Sequence, residues 1–362
     1  GDREVALRPE MTPTLARMVA ARANALRKPV RWFSVPQLFR YERQQKGRLR
    51  EHFQLNADIV GEAGVTADAE LVALSLDVMR EFGLTSSDVN ARVSDRRLLH
   101  AILTQEGVSA ASMDEVYGII DKREREPRAV WHEKLTAATS KGTANAIDSV
   151  LSLHDIDALV SRYSGAPAVL ERIDVVREYK RYVEALGFGE WLRLDLSIVR
   201  GLAYYTGIVF ELFDTAGEFR AICGGGRYDT LLGTLGGVDL PALGFGMGDV
   251  VLGELLRSRG LIPAPAAQSD YWVAGDDGIE VTDVMAVASR LRAGGKSVEY
   301  ALKQQQLSRQ LKAAVAAGAD TAILLKRDAF PEGRVTVKDL KSGGERSLDL
   351  DDLINSMKMT DG

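Results

Sequence analysis

The residues best suited to chemistry lie in two neighbouring segments near the middle of the chain. Residues 199–211 (VRGLAYYTGIVFE) contain an arginine followed by a glycine and then two tyrosines, and residues 221–229 (AICGGGRYD) contain three consecutive glycines. A planar guanidinium can bind a phosphate through two parallel hydrogen bonds. Glycines permit a turn that brings main-chain amides close to a ligand. A hairpin with a glycine turn and a surface arginine would have the same composition, so these segments alone leave both interpretations open.

Two strands are predicted nearer the amino terminus. Residues 31–42 (RWFSVPQLFRYE) and 50–61 (REHFQLNADIVG) flank a basic loop, RQQKGRL. Because side chains alternate along a strand, the second strand should place four apolar residues on one face and four polar residues on the other. The two sets are Phe53, Leu55, Ala57 and Ile59, and His52, Gln54, Asn56 and Asp58. A polar face usually lies in water, but this one combines an amide and a carboxylate opposite an arginine-bearing strand.

Taken together, these strings resemble the signature segments of histidyl-tRNA synthetases, which belong to the class II aminoacyl-tRNA synthetases. RGLxYYTGxVFE followed by GGGRYD is similar to the two histidine-specific segments. FRxE, a basic loop and RxxxFxQ resemble motif 2, an antiparallel hairpin over ATP and the aminoacyl-adenylate, and LRPExT at residues 7–12 resembles the loop that holds the α-amino group. The resemblance implies adenylation of L-histidine by ATP and transfer to the terminal ribose of tRNA(His), with Mg²⁺ accompanying ATP and no tightly bound cofactor.

The resemblance also implies roles for individual residues. Arg40 and Arg200 would be catalytic, because both would stabilise charge on the α-phosphate, and no covalent enzyme intermediate is needed. Asp58 stands where the family usually has a glutamate that reads the imidazole. The expected ATP-binding residues are Arg40, Glu42, Arg48, Arg50, Gly225 and Arg227. The expected histidine-binding residues are Glu10, Thr12, Gln54, Asp58, Tyr204 and Tyr205.

The sequence departs from the family pattern at motif 3. Residues 240–248 (LPALGFGMG) lead into a predicted helix, as in the family, but Val250 and Val251 occupy the places of a Glu-Arg pair whose arginine binds the γ-phosphate. Ala203 also replaces a common aspartate. Two alternatives therefore remain: a non-catalytic paralogue such as the ATP phosphoribosyltransferase regulatory subunit, and a synthetase-derived binding module. The intact motif 2 favours the enzyme.

The implied fold is α+β: an antiparallel sheet flanked by helices, a helical insert and a C-terminal α/β domain. We expect a catalytic domain over residues 1–262 with the insert at about 95–165, a Pro/Ala linker at 263–269, and an anticodon-binding-like domain at 270–362. Helices are predicted at residues 15–26, 66–82, 167–186, 228–235 and 250–259. Strands are predicted at residues 193–199, 204–213 and 240–248.

Composition limits the remaining possibilities. The 362 residues carry a formal net charge of −5, so any contact with tRNA must be local. A single cysteine, Cys223, excludes an internal disulfide and suits a reducing compartment, so we expect a cytoplasmic location. No metal-binding spacing and no membrane-spanning apolar run occur. Because the sequence opens without Met and motif 1 would precede it, we expect a fragment of a protein that forms a homodimer at full length.

Overall fold

The computed structural model describes residues 2–41, 49–199, 204–262 and 269–358, and it confirms the α+β class. The chain divides into two compact units, Gly1–Ile262 and Pro263–Gly362. In the described part of the chain, no helix has both the length and the apolar character needed to cross a membrane.

The first unit is built on an eight-stranded sheet. Its strands are β1 (Val30–Ser34), β2 (Gln37–Phe39), β3 (Glu51–Val60), β4 (Val89–Asp95), β5 (Leu192–Leu194), β6 (Ile208–Asp214), β7 (Cys223–Arg227) and β8 (Ala242–Gly248). The order is β1-β3-β8-β7-β6-β4-β5, and β2 pairs with one end of β3. All pairs are antiparallel except β4 with β5. Strands that are far apart in the sequence, such as β3 and β8, are therefore adjacent in the sheet.

Helices cover both faces of this sheet. They are α1 (Thr12–Ala20), α2 (Val65–Glu81), α8 (Pro167–Ala185), α9 (Leu231–Gly236) and α10 (Asp249–Ser258), with a short 3₁₀ helix at Gly189–Trp191. The main core joins α2, α8 and α10 to the face that carries Ala57, Phe210 and Phe245. A smaller core packs α1 and α9 around Tyr205 and Tyr228.

The insert between β4 and α8 is helical, as the sequence predicts. It contains α3 (Arg96–Gln105), α4 (Met113–Ile120), α5 (Arg128–Ala138), α6 (Lys141–Leu151) and α7 (Ile156–Arg162). Its apolar residues, including the fully buried Trp131, pack with one side of α8 in a second core. Pro127 precedes the first turn of α5, where its missing N–H costs no helical hydrogen bond. We call α3 to α7 the helical insert.

The second unit is a five-stranded α/β structure. It contains β9 (Tyr271–Gly275), α11 (Val281–Ala293), β10 (Val298–Tyr300), α12 (Leu307–Ala316), β11 (Thr321–Leu325), a 3₁₀ helix (Phe330–Glu332), β12 (Arg334–Asp339), β13 (Glu345–Asp349) and α13 (Leu350–Lys358). The strand order is β10-β9-β11-β12-β13. The pattern misses β13 because four of its five residues are exposed and polar, which leaves little apolar alternation to read.

Several local predictions for the first unit are wrong. The strand predicted at residues 31–42 is divided into β1 and β2, and the helix predicted at 15–26 ends at Ala20. The glycine run is not a turn: residues 224–226 lie inside β7, between β6 and β8. Glycine is needed there for close packing, since a Cβ on Gly225 would lie 2.6 Å from the carbonyl oxygen of Gly244. Tyr204 and Tyr205 precede β6 instead of lying on it. The strand predicted at 193–199 ends at Leu194, because Asp195 accepts hydrogen bonds from Ser197 and forms a tight turn.

Candidate active site

Strand register collects polar side chains on one face of the large sheet. Asp58 pairs with Gly244 of β8, Gly224 of β7 pairs with Gly246, and Glu211 of β6 pairs with Gly224. Because facing residues share a side of the sheet, the predicted polar set of β3 lies on the same face as Glu211. The predicted alternation is confirmed, since Ala57 and Ile59 point into the main core. The polar face does not lie in water, however, because Asn56 and Asp58 are buried.

Glycines of β8 make room for the side chains of β3. A Cβ on Gly244 would lie 2.0 Å from Oδ1 of Asp58, and a Cβ on Gly246 would lie 2.8 Å from Nε2 of Gln54. The two side chains therefore occupy space over β8 that any other residue would fill. Four residues along β3 separate them by about 13 Å between Cα atoms.

Asp58 belongs to a cluster of tyrosines. The hydroxyl of Tyr228 donates a hydrogen bond to Oδ1 of Asp58. The Tyr204 ring lies 5.1 Å from the Tyr205 ring and 5.9 Å from the Tyr228 ring, measured between centroids. Burial raises the pKa of Asp58 to about 7, although the Tyr228 hydrogen bond opposes the shift. The sequence analysis missed Tyr228, and the signal available was its place in the GGGRYD string.

A cavity of about 780 Å³ opens over this face. Gln54, Glu211 and Gly246 line it from the sheet. The helical insert contributes Ile120, Asp121, Arg123, Glu124 and Arg125. Arg40 lies at one end, just after β2, and its Nε donates to the carbonyl oxygen of Pro9 at 3.1 Å. That contact brings Glu10, the next residue in the chain, and Thr12 at the start of α1 towards Arg40. The cavity is large enough for a nucleotide with an amino acid.

The expected ATP ligands Gly225 and Arg227 lie on the other face of the sheet. The guanidinium of Arg227 is buried and contacts the Asp68 carboxylate of α2 at 2.5 Å and Asp229 at 3.2 Å. It also donates to the carbonyl oxygens of Glu62 and Gly64. Burial raises the pKa of Asp68 to about 6, and the Arg227 hydrogen bonds oppose that shift. The structure does not bring Arg227 into the cavity, and its contacts indicate that it anchors α2 to the sheet.

Among the described residues, Arg40 and Gln54 are the predicted site residues that line the cavity. Its lining does not include Glu10, Thr12, Arg50, Asp58, Tyr204 or Tyr205. Arg50 precedes β3, and its guanidinium stacks over the Tyr41 ring at 4.8 Å. Glu42, Arg48 and Arg200 are not among the residues that the structure describes. Arg220 also lines the cavity, and the sequence analysis did not select it.

Val250 and Val251 begin α10 at the same end of the cavity as Gly248. Cys223 at the start of β7 pairs with Met247 near the end of β8. The segment that precedes β7 therefore lies near the start of α10, and it carries Arg220 to the end of the cavity where Val250 and Val251 lie. Among the described residues, no group of three or more His, Cys, Asp or Glu side chains is arranged to hold a metal ion. Glu211 nevertheless faces the cavity and offers a carboxylate of the kind that supports a phosphate-bound Mg²⁺.

Comparison with known proteins gives consistent results for both units. The family model for histidyl-tRNA synthetase matches residues 1–248, and a model for an anticodon binding domain matches residues 276–360. The chloroplastic/mitochondrial histidine–tRNA ligase of Arabidopsis thaliana is 40% identical over 354 residues, which are 98% of this chain and 72% of that protein. The histidine–tRNA ligase of Opitutus terrae is 41% identical over 354 residues, covering 96% and 80% of the two chains. The crystal structure of histidyl-tRNA synthetase from Nostoc sp. PCC 7120 has the same fold, with a TM-score of 0.79 at 24% identity over 98% of this chain and 83% of that one.

Proposed function

The chain belongs to the histidyl-tRNA synthetase family, and we propose that the cavity over its large sheet is where it activates histidine. The activity is that of a histidine–tRNA ligase, an aminoacyl-tRNA synthetase. The observation that carries the assignment of the site is the polar face of β3, which points Gln54 and Asp58 at one side of the sheet and has Arg40 beyond its end. Such an arrangement fits a ligand with an imidazole at one end and a nucleotide at the other.

Histidine takes the buried end of the site. Asp58 and Tyr205 bind the two ring nitrogens, because a carboxylate accepts a hydrogen bond and a phenol can either donate or accept. Gln54, Glu10 and Thr12 bind the α-amino group, and Tyr204 packs beside them. The tyrosine rings around Asp58 exclude water, so a ligand without matching hydrogen-bonding groups leaves Asp58 unpaired and binds poorly.

ATP takes the open end of the cavity. The histidine carboxylate attacks the α-phosphorus, the bond to the bridging oxygen breaks, and pyrophosphate leaves. Arg40 and Arg200 stabilise the negative charge that rearranges on the α-phosphate, so catalysis consists of positioning and preorganised positive charge. Arg50, Glu42 and Arg48 hold the adenine and the outer phosphates. A ribose hydroxyl of tRNA(His) then attacks the histidyl carbonyl carbon, and AMP leaves.

The outer phosphates of ATP need a positively charged side chain, and Val250 and Val251 do not supply one at the positions where the family has a Glu-Arg pair. Arg220 lines the same cavity, and the direction of β7 brings it towards the start of α10. We assign to Arg220 the contact with the terminal phosphates, with Arg227 acting as an anchor of α2. Mg²⁺ neutralises phosphate charge when it is bound with ATP, and Glu211 is placed to support it.

The C-terminal unit is assigned to the anticodon of tRNA(His), because residues 276–360 match an anticodon-binding model. The family resemblance supports a homodimer, which sedimentation velocity tests. A cytoplasmic location is supported by the cysteine content of the sequence, which is the single Cys223, buried in β7. The regulatory-paralogue alternative is less well supported, since the two relatives at 40% and 41% identity are both named as ligases.

Histidine-dependent exchange of pyrophosphate into ATP tests the proposed activity. We expect exchange with L-histidine and none with the other amino acids, because Asp58 reads the imidazole. Charging of tRNA(His) is measured with the same preparation. Histidine binding without exchange would contradict the enzyme and favour the regulatory paralogue, and absence of both would favour the binding module.

A further inference from the structure

The first turn of α3 holds the two ends of the segment that carries Arg200. On one side of residues 200–203, the Arg96 guanidinium donates to the carbonyl oxygen of Val199 at 2.8 Å. On the other side, Nε of Arg97 donates to the carbonyl oxygen of Thr206 at 2.8 Å. The main-chain N–H of Arg96 also donates to the carbonyl oxygen of Gly207 at 3.0 Å. Two consecutive arginines of the helical insert therefore bind both flanks of one loop.

Thr206 is also held by hydrogen bonds to β7 and to the residues that follow it. Arg97 Nη2 lies 3.1 Å from Oδ2 of Asp229, whose main-chain N–H donates to Oγ1 of Thr206 at 3.0 Å. The N–H of Thr206 donates to the carbonyl oxygen of Arg227 at 2.7 Å. Arg227 is itself fixed by Asp68 of α2. Thr206 is thus held between α3 and β7, and its position is set by groups from three elements.

The choice of arginine here is not explained by the stability of α3. The first turn of a helix carries a partial positive charge and favours acidic residues, yet α3 has two arginines and no acidic residue there. Its N-cap, Asp95, is also engaged by Arg172 at 2.9 Å. Arginines that oppose the helix dipole are expected when their donors serve another purpose, which in this case is the pair of loop carbonyl groups.

We propose that Arg96 and Arg97 are positioning residues that fix the main chain on both sides of residues 200–203 and thereby couple the helical insert to the adenylation step. The inference rests on the proposed function of Arg200. Neither Arg96 nor Arg97 lines the cavity proposed to bind ATP and histidine. They hold the main chain on both sides of the proposed catalytic arginine. Misplacement of a catalytic group by about 1 Å can cost about 10²-fold in rate. Loss of the hydrogen bonds of either Arg96 or Arg97 should therefore slow the chemical step.

A double-mutant cycle on the complete chain tests the coupling. Arg97→Ala should lower the rate of adenylate formation by about 10- to 100-fold, while the KM values for ATP and histidine change by less than about threefold. On the Arg200→Ala background, Arg97→Ala should have an effect of less than about twofold, because a positioning residue has nothing left to position. Arg97→Lys keeps the charge beside Asp229 without the planar fork and should show an intermediate loss, which covers the case in which Arg97→Ala does not fold.

Arg162→Ala is the matched control. Arg162 also lies on the helical insert, and it donates to Glu106, to the hydroxyl oxygen of Ser149 and to the main-chain carbonyl oxygen of Ala146, all within the insert. Its adenylation rate should stay within about twofold of wild type. An undiminished Arg97→Ala effect on the Arg200→Ala background would overturn the inference, as would an equal loss in Arg162→Ala or a wild-type rate in Arg97→Lys. A wild-type rate in Arg200→Ala alone would instead refute the proposed catalytic role of Arg200.

Discussion

Asp58 combines a proposed role in recognising histidine with an environment that disfavours its charged form. Its carboxyl is buried among tyrosines and over Gly244, and Tyr228 donates to it. Burial raises its pKa to about 7, from the 3.8 of an ordinary aspartate. Between these two values the folded protein holds a proton that the unfolded chain releases. The free energy of unfolding therefore falls as the pH rises through this window, and the cost of the buried charge is fully present above pH 7.

Asp58→Asn removes that charge and should make the protein more stable at high pH. We expect a gain of roughly 2–4 kcal/mol in the free energy of unfolding at pH 8 and no difference at or below about pH 4. The same variant should raise the histidine KM, because the amide cannot offer a charged acceptor to the imidazole. Urea unfolding at the two pH values measures the first effect, and steady-state exchange kinetics measure the second. A stability gain that did not change with pH would show that burial of the charge is not its cause.

Substitution of Arg220 tests whether this residue replaces the motif 3 arginine as a ligand of the terminal phosphates of ATP. If its guanidinium binds the terminal phosphates, Arg220→Ala should raise the KM for ATP by about tenfold, the equivalent of one charge-assisted hydrogen bond. The KM for histidine should change little, since histidine lies at the other end of the cavity. Arg193→Ala is a suitable control, because Arg193 is an exposed arginine that donates only to nearby carbonyl groups. An unchanged ATP KM in Arg220→Ala would remove this residue from the nucleotide site.

At the scale of elements, β3 and β8 act as a complementary pair. The side chains of Gln54 and Asp58 on β3 lie over Gly246 and Gly244 of β8. The opposite face of β8 places Phe245 and Met247 in the main core. One strand thus alternates glycine for the site with large apolar residues for stability, so changes on its two faces should have different consequences.

Gly246→Ala separates these consequences. The new Cβ would lie 2.8 Å from the Gln54 amide, which is the mobile end of a long side chain, so the fold should survive while Gln54 moves. We expect a histidine KM raised by about tenfold, from the loss of about one hydrogen bond, and a melting temperature within a few degrees of wild type. Gly253→Ala in α10, where a Cβ has open space, is the control and should leave the KM unchanged. Normal histidine kinetics in Gly246→Ala would show that Gln54 is not a ligand.

At the scale of the molecule, the two units divide the proposed work. Every residue assigned to adenylation precedes the boundary at Ile262, and the residues that match the anticodon-binding model follow it. Each unit has its own hydrophobic core. Among the described residues, each hydrophobic core lies within one unit, and the proposed active-site residues lie in the first.

Cleavage between the units should affect the two half-reactions differently. A protease site introduced near Ala266 allows the intact and the cut protein to be compared in one preparation, and the uncut protein is the control. After cleavage we expect histidine-dependent pyrophosphate exchange within about twofold of the uncut rate, and tRNA charging reduced at least about tenfold, because the anticodon contact contributes only to tRNA binding. Equal losses in both reactions would contradict this division.

The sequence by itself determined the family, the fold class and most helices and strands. It did so because periodicity, turn residues and short motifs are encoded within a few residues of one another. The alternation of β3 and the extent of α2 follow directly from such local patterns.

Only the tertiary structure decided which face of the sheet each side chain lies on and which strands and helices are adjacent. The glycine run of β7 is compatible with a turn or with a tightly packed strand, and the close approach of β8 selects the strand. Arg227 lies one residue out of phase with the cavity face, which directs it to Asp68 instead of the cavity. The same long-range pairing brings Tyr228 to Asp58, and α3 to the flanks of the Arg200 segment. Strand register and burial arise from contacts between residues far apart in the chain, so no local pattern in the sequence could specify them.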